Sequence, residues 1–343
     1  MNSIEWTRRA MIAGGLASLC PTEALAQRGR NVIRRRIFRG TRGDSIGLVG
    51  GEAIRATDRL FVLNCRFLDF GNGAVRVAGP VRNLVIDGCR AHNMYRFLED
   101  TAEGVPDASL RNFVIRRVEA SHLERGFLRL RYQSSGGLIE DVAAVCKESG
   151  GSRYCVGFAL DDQASGITYR RVSARGFREV TREPGSYWNG DGFTDERGNS
   201  AIRYLNCTAS DCTDGGFDLK SSGVLLANCV ARSNKRNFRL WNSGSLHDCE
   251  SHDPLWRGGS GGKAHFSFHG DVGTYVLQRP KVRAQPGNEA PVLLFATTRP
   301  AEVLIVDADI DAPSAPLIRV EGGPAPNIRF MPPRENQRIR TAS

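Results

Sequence analysis

The 343-residue sequence has no apolar run of the roughly 20 residues that a membrane-spanning helix needs, so no membrane span is expected. It has no Cys-x-x-Cys motif with a second such motif or a His pair, so a zinc site has no support. No segment carries a sustained helical period, and the hairpin turns that a β-sandwich would need are few. Hydrophobic residues make up 41 % of the chain, enough to build a sizeable core.

The first 26 residues have the three parts of an export signal. Arg8 and Arg9 form a twin-arginine pattern, a short apolar stretch follows, and Ala24 and Ala26 supply the small residues of a cleavage site. The pattern predicts a Tat-type signal peptide at 1–26 and a protein exported to the periplasm or secreted. Nucleic acid is therefore not expected as a partner.

The formal net charge of +10 is concentrated near the N-terminus. Seven arginines and no acidic residue lie within 27–42, residues 1–26 have no net charge, and the remainder of the chain contributes +3. We interpret 27–42 as a basic N-terminal arm. The charge favours an acidic partner, but it does not identify the site where that partner binds.

One short pattern recurs along the chain: an apolar stretch, then Cys or Val, then a small residue. The Cys or Val positions are 65, 89, 118, 142, 172, 207, 229 and 249, at spacings of 24, 29, 24, 30, 35, 22 and 20 residues. A base period of about 20–24 residues with insertions indicates a solenoid. The predicted fold is an all-β, single-stranded, right-handed parallel β-helix over 43–331, followed by a C-terminal tail at 332–343.

A second register supports this fold and bears on the cysteines. Alternating segments surround the phenylalanines Phe97, Phe127, Phe158, Phe193, Phe217 and Phe238, as expected for strands. Cysteines at one repeat position are expected to be buried thiols stacked on neighbouring coils, namely Cys65, Cys89, Cys207, Cys229 and Cys249. Cys146 and Cys155 are the pair placed for a disulfide, which the sequence leaves open.

The strands that follow these phenylalanines predict a charged outward row. Asp191, Asp214 and Asp218 would lie on neighbouring coils, where a bound Ca²⁺ would neutralise their clustered charge. Lys220 and Arg239 lie beside them in the same row. Three aromatic residues suited to stacking on sugar faces border the cluster: Tyr187, Trp188 and Trp241.

These residues resemble the calcium-dependent pectate lyases of polysaccharide lyase family 9, within the pectate-lyase-like β-helix superfamily. The resemblance lies in Asp191-Gly192-Phe193, Asp214-Gly215-Gly216-Phe217-Asp218 and Asn237-Phe238-Arg239-Leu240. It implies β-elimination on an acidic, uronate-containing polysaccharide. The chain departs from the family pattern at Gly215, which replaces a calcium carboxylate, and at Arg239, which stands where the family has a catalytic lysine.

The resemblance assigns roles to the remaining candidates. Ca²⁺ on the three aspartates would neutralise the sugar carboxylate, and Arg239, or Lys220 as second choice, would take the C5 proton. Arg129 and Arg131 would bind neighbouring sugar carboxylates. A monomer is expected, and the sequence does not specify which uronate polymer is bound.

Several alternatives stay open at this stage. A C5-epimerase would use nearly the same site, and a non-catalytic polysaccharide-binding β-helix is favoured by the substitutions at Gly215 and Arg239. A glycoside hydrolase would use two or three aspartates as acid and base, and Asp161 and Asp162 are the only adjacent pair of aspartates. A histidine base would come from the group His252, His265 and His269.

Overall fold

The computed structural model describes residues 31–40, 51–100, 108–180, 183, 185–271 and 273–342. The predicted signal peptide at 1–26 and part of the basic arm lie outside these residues. Among the described residues, no helix is both long enough and apolar enough to cross a membrane.

The described strands form a parallel β-solenoid of about ten turns, which confirms the predicted fold class. Each full turn contributes a strand segment to each of three sheets, and long strands bend across a corner and serve two sheets. The strands are, in chain order, β1 Val32–Arg34, β2 Ile37–Arg39, β3 Glu52–Arg55, β4 Phe61–Leu63, β5 Arg66–Val77, β6 Val81–Arg82, β7 Val85–Asp87, β8 Arg90–Asp100, β9 Leu110–Arg111, β10 Val114–Leu130, β11 Leu138–Cys146, β12 Phe158–Leu160, β13 Thr168–Arg175, β14 Phe193–Asp195, β15 Arg203–Leu205, β16 Thr208–Ser210, β17 Gly215–Leu219, β18 Val224–Ala227, β19 Val230–Arg232, β20 Arg236–Leu240, β21 Gly244–His247, β22 Glu250–His252, β23 Ala264–Gly270, β24 Thr274–Gln278, β25 Lys281–Arg283, β26 Leu293–Thr297, β27 Glu302–Val306, β28 Asp309–Pro316, β29 Ile318–Val320, β30 Asn327–Met331 and β31 Arg338–Ala342.

The sheet that carries the candidate site is called here the groove sheet. It contains β3, the C-terminal parts of β5, β8 and β10, and then β12, β14, β17, β20, β23, β26 and β29, each paired with the next in parallel.

The repeated Cys or Val position lies at the corner between the other two sheets. The residue before it adopts the left-handed conformation, as at Asn64 (φ 54°), Asn206 (φ 56°) and Asp248 (φ 52°), where a short polar side chain is tolerated. The thiols of Cys65 and Cys207 donate to the carbonyl oxygens two residues before them, at 3.4 and 3.5 Å. The corner therefore explains why a residue that tolerates the left-handed conformation stands there and why a cysteine can follow it.

The phenylalanine register forms the interior of the groove sheet. Ring centroids of successive coils lie 4.6 Å apart for Phe97 and Phe127, 5.0 Å for Phe158 and Phe193, and 5.2 Å for Phe217 and Phe238. All of these rings are buried. Because side chains alternate along a strand, the residues next to each phenylalanine face outward, as the sequence predicted.

The solenoid extends past both boundaries that the sequence predicted. In the part of the arm that the structure describes, β1 and β2 pair with β4 and β5. At the other end, β31 lies within the predicted tail and pairs with β28. Arg-rich and Pro-rich stretches suggested an arm and a tail, but each retains the alternating residues that a terminal coil needs.

The ladder cysteines are buried free thiols, as expected. Cys146 and Cys155 are also free and buried in this structure. Their pKa values shift in opposite directions, chiefly because the two side chains hydrogen-bond to each other. The two thiols are therefore not covalently joined in this structure.

Candidate functional site

The outward positions of the groove sheet form a row along the solenoid axis. The strand register aligns Arg129 with Ala159, Ala159 with Thr194, Thr194 with Asp218, and Asp218 with Arg239. Two residues further along each strand, a second row contains Glu196, Lys220, Trp241 and His269. The sequence predicted one charged outward row here, because stacked coils place equivalent residues above one another, and the structure divides Arg239 and Lys220 between two rows.

A groove of about 280 Å³ runs over this face. Its walls carry four cations, several carboxyl groups and two tyrosines. The lining residues are Arg96, Arg125, Arg129, Tyr154, Val156, Ala159, Asp161, Tyr187, Asn189, Asp191, Thr194, Glu196, Asp218 and Lys220.

Below the groove floor lies a buried ion cluster centred on Arg239. Its guanidinium binds Asp218 through both carboxylate oxygens, at 2.8 and 2.7 Å, and donates a third hydrogen bond to Asp214 at 2.8 Å. Asp218 also accepts a hydrogen bond from Trp241 Nε1 at 2.6 Å. The sequence correctly predicted that these residues lie close together. It predicted that a metal ion neutralises the aspartates, whereas in the structure Arg239 does so.

Two further cations complete the cluster. Lys235 is fully buried, with Nζ 2.9 Å from Asp214 Oδ1 and 3.0 Å from the carbonyl oxygen of Ser260. Arg236 Nη1 lies 3.5 Å from the same Asp214 oxygen. We call Asp191, Asp214, Asp218, Lys235, Arg236 and Arg239 the central cluster.

The three carboxyl groups of the central cluster differ in pKa. Burial alone would raise the pKa of Asp214 and of Asp218, but Arg239 and its neighbours lower both overall. Burial, followed by the charges of Asp218 and Asp214, raises the pKa of Asp191 well above its ordinary value. Burial and the neighbouring charges therefore favour the protonated form of Asp191, whereas the cations around Asp214 and Asp218 favour their ionised forms.

The geometry at Gly215 explains one departure from the lyase pattern. The N–H of Gly215 donates to Asp191 Oδ1 at 2.6 Å. A Cβ atom at this position would lie 2.8 Å from that oxygen and 3.1 Å from the Cβ of Asp218. A carboxylate side chain therefore has no space here unless the side chain of Asp191 moves.

The central cluster does not fit a Ca²⁺ ion well. Three cations already face Asp214, and one of them, Arg239, also binds Asp218, so most of the uncompensated charge that suggested a metal is absent. Among the described residues, no group of three or more His, Cys, Asp or Glu side chains is arranged to hold a metal. Ca²⁺ binding stays a prediction, and its original physical basis is weakened.

Neither predicted base suits that role. Burial alone would lower the pKa of Arg239, but Asp214 and Asp218 raise it well above its ordinary value. Burial would likewise lower the pKa of Lys220, yet Asp218 and the ion pair with Glu196 raise it. Both side chains therefore stay charged and can supply positive charge, but they do not accept a proton.

The predicted substrate-binding residues separate into two groups. Arg129 lines the groove, and its Nε donates to Asp161 at 2.7 Å. Arg131 does not line it, because its guanidinium is held by Asp100 at 2.6 Å and Glu99 at 2.9 Å.

The two predicted tryptophans lie outside the groove lining. Trp188 packs against the backbone of Gly258 and Gly259, and its Nε1 donates to the Glu183 carbonyl at 3.2 Å. Trp241 stands at the end of the outward row, with its ring 5.9 Å from Lys220 Nζ and 4.8 Å from the His269 ring. The aromatic residues that line the groove are Tyr154 and Tyr187.

No histidine lines the groove in the part of the chain described. His265 is buried and contacts Ser251 Oγ at 2.8 Å, and burial lowers its pKa to about 3. His269 also has its pKa lowered to about 3, by burial and then by Arg239. His252 lies 3.4 Å from Glu250. The geometry therefore does not favour a histidine base.

Sequence reasoning missed Arg96 and Arg125 in the groove and Lys235 and Arg236 in the central cluster. Arg96 and Arg125 stand directly before the Phe97 and Gly126-Phe127 segments, and this position was the sequence signal for their place in the groove. A register shift in β10 obscures the signal, because Arg96 pairs with Gly126 and not with Arg125. Lys235 and Arg236 precede the outward row of β20, where nothing in the sequence shows their direction.

Comparison with known proteins supports the fold of this chain and identifies no family. No family model matches the chain, and no curated protein matches it in sequence. The chain is similar to the solved structure of a point mutant of the periplasmic alginate epimerase AlgG. The TM-score is 0.55, with 9 % identity and coverage of 91 % of this chain and 76 % of that one.

Two further solved structures are similar with lower scores. For the Azotobacter vinelandii mannuronan C-5 epimerase AlgE6 A-module the TM-score is 0.48, with 11 % identity and coverage of 94 % and 93 % of the two chains. For pectate lyase Pel9A it is 0.42, with 12 % identity and coverage of 86 % and 72 %. At these identities the similarity shows the parallel β-helix fold and leaves the family unresolved.

Proposed function

We propose that this protein is a polysaccharide lyase that cleaves an acidic, uronate-containing polymer by β-elimination in the groove. The observation that supports this is the meeting, in one groove, of fixed cations with Asp191, whose pKa is raised, the accessible carboxyl group of Glu196 and the hydroxyl group of Tyr187. Export by the twin-arginine route remains our proposal for how the protein reaches such a polymer.

Neutralisation of the sugar carboxylate is the first requirement of the reaction. Lys220 lines the groove and has a raised pKa, and Asp191, whose pKa is also raised, would in its protonated form donate its hydrogen to a substrate carboxylate. Together they would lower the pKa of the C5 proton. This assigns to two side chains the role that the family resemblance gave to Ca²⁺.

Proton transfer would use Glu196 and Tyr187. The side chain of Glu196 is 39 % exposed, which is more than that of Asp161 or Asp218, the other ion-paired carboxyl groups of the groove. We therefore assign Glu196 as the base. As it takes the C5 proton, the C5–H electrons form the C4–C5 double bond and the C4–O bond breaks. Burial, followed by the charges of Asp191 and Asp214, raises the pKa of Tyr187, which is thus protonated and can supply a proton to the leaving oxygen.

A glycoside hydrolase is the second candidate, because the groove also holds carboxyl groups with separated pKa values. The pKa of Asp191 is raised and that of Asp218 beside it is lowered, and such separation is typical of acid and base pairs. We rank it second because Asp218 is bound through both oxygens by Arg239 and has little freedom to act.

The test is an assay of the purified chain on polygalacturonate, alginate and glucuronan, each with Ca²⁺ and with a chelator. A lyase gives an unsaturated product that absorbs in the ultraviolet, and we expect this product under both conditions. New reducing ends without absorbance would indicate the hydrolase. Exchange of the C5 proton with solvent deuterium without cleavage would indicate an epimerase, and binding without product would indicate a non-catalytic protein.

Two lysines provide a matched pair of variants. Lys220→Ala removes a cation from the groove and should lower kcat/KM by about 10²-fold or more. Lys281→Ala breaks an equivalent cross-coil ion pair, with Glu250 at 2.8 Å, on a different sheet. Equal activity of the two variants would rule out a role for Lys220.

A further inference from the structure

Three arginines meet at the N-terminal end of the groove. Arg96 comes from β8, and Arg125 and Arg129 come from the next coil, in β10. The guanidinium groups of Arg96 and Arg125 both lie against the Tyr95 ring, 5.7 and 5.6 Å from its centroid. The side chain of Arg96 crosses over Gly126, where a Cβ would lie 3.4 Å from its Nε.

Two of these arginines have a buried donor without a partner. Arg96 is 3 % exposed, and the Nε atoms of both Arg96 and Arg125 are buried without a hydrogen-bond acceptor among the described residues. Unsatisfied buried donors are costly, and at the wall of a groove the acceptor that satisfies them can come from a ligand. Arg125 otherwise donates to the Tyr95 hydroxyl.

The surrounding carboxylates do not balance the cations. Glu99 is shared by Arg76 at 3.1 Å, Arg96 at 2.6 Å and Arg131 at 2.9 Å. Asp100 binds Arg131, and Asp161 binds Arg129.

The pKa values at this end agree with an excess of positive charge. Burial raises the pKa of Asp100 to about 7, so even this carboxyl is only partly ionised at neutral pH. The pKa of Arg96 is lowered to about 10, chiefly by burial. The charge of Glu99 opposes this shift, and the charges of Arg129 and Arg125 add to it.

We propose that Arg96, Arg125 and Arg129 form an oxyanion subsite, which receives a carboxylate or sulfate ester group on a second sugar of the polymer. That the ligand is a polymer rests on the proposed function. That the three arginines bind an oxyanion rests on the unpartnered donors of Arg96 and Arg125. Arg129 lies three coils from Asp218 in the same row, roughly 14 Å at a strand spacing of about 4.8 Å. The subsite therefore contacts a sugar some distance from the one that reacts.

The test compares binding by the full chain and by Arg125→Gln, using isothermal titration with inorganic sulfate, polygalacturonate and dextran sulfate. Loss of one charge-assisted contact should weaken binding of at least one of these probes about tenfold. Arg279→Gln is the matched control, since it also removes one positive charge but from an exposed pair with Asp248. Weaker binding of polygalacturonate alone identifies a carboxylate, and weaker binding of dextran sulfate alone identifies a sulfate ester.

Arg129→Gln is a second variant in case Arg125→Gln does not fold, and folding is checked by circular dichroism. The proposal is overturned if both variants, when folded, bind all three probes as tightly as the wild type. Failure of the lyase assignment looks different, with no product on any polymer and binding that still depends on Arg125. Conversely, cleavage with unchanged KM in both variants would retain the reaction and remove the subsite.

Discussion

The groove sheet carries two charged regions that lie along the same face on different strands and differ in how their charges are paired. In the central cluster, every carboxylate is matched by a buried cation, and Asp214 alone contacts Lys235, Arg236 and Arg239. At the N-terminal end, arginines outnumber carboxylates and keep unpartnered donors at the groove wall. A closed charge cluster supports the fold, whereas an open one is available to a ligand.

The largest expected effect comes from breaking the closed region. Arg239→Met should lower the free energy of unfolding by about 3–5 kcal/mol, because it leaves Asp214 and Asp218 buried with too little positive charge. Urea unfolding at pH 7 measures this. Arg279→Met, at an exposed ion pair, should cost less than about 1 kcal/mol. Equal losses in the two variants would contradict the description of the central cluster as a closed unit.

Two carboxyl groups of the central cluster should respond to pH in opposite directions. Asp191 has a raised pKa, so its stabilising contribution is complete below the unfolded value of about 3.9 and is lost as the pH rises through the raised pKa. Asp218 has a lowered pKa, so its contribution is present above about 3.9 and is lost as the pH falls through the lowered pKa.

The measurement is urea unfolding of Asp191→Asn and Asp218→Asn between pH 3 and pH 8. Relative to wild type, Asp191→Asn should gain stability as the pH rises, and Asp218→Asn should lose it, reaching a deficit of roughly 3 kcal/mol at pH 7. Parallel pH profiles for the two variants would show that the proton is not held on Asp191.

A smaller effect is expected from the tight contact at Gly215. Gly215→Ala should cost about 1–3 kcal/mol, because the added Cβ would lie 2.8 Å from Asp191 Oδ1. Gly79→Ala is the matched control, since a Cβ there meets no atom within 4 Å. Thermal or urea unfolding checks both, and a tolerated Gly215→Ala would mean that this part of the cluster yields easily.

Much of the fold could be predicted because a solenoid repeats its contacts. The Cys or Val position marks one corner in each coil, and the phenylalanine register marks the interior of the groove sheet, so the neighbours of Asp218 and Arg239 followed from the alignment. The end boundaries could not be predicted from composition. Arginines at 34–36 and 39 resemble a solvated arm, while Val32 to Arg39 still pair with the next coil.

The electrostatics of the site were less predictable than its location. The sequence shows three aspartates on adjacent coils, but whether a metal or side chains neutralise them depends on where Lys235 and Arg236 point. Their direction is set by long-range contacts such as that of Lys235 with Ser260. The cation excess at the other end depends likewise on the register shift that places Arg96 beside Gly126.

The smallest expected effect comes from the open region. Arg129→Ala should change the free energy of unfolding by less than about 1 kcal/mol, because its side chain is 31 % exposed and its one close partner, Asp161, also lies near Arg131 at 3.8 Å. The same urea series used for Arg239→Met measures it. A loss of 3 kcal/mol or more would mean that the charge of Arg129 is paired within the protein and stabilises the fold. The two regions would then not differ. A negligible loss leaves the charge of Arg129 available to a bound anion.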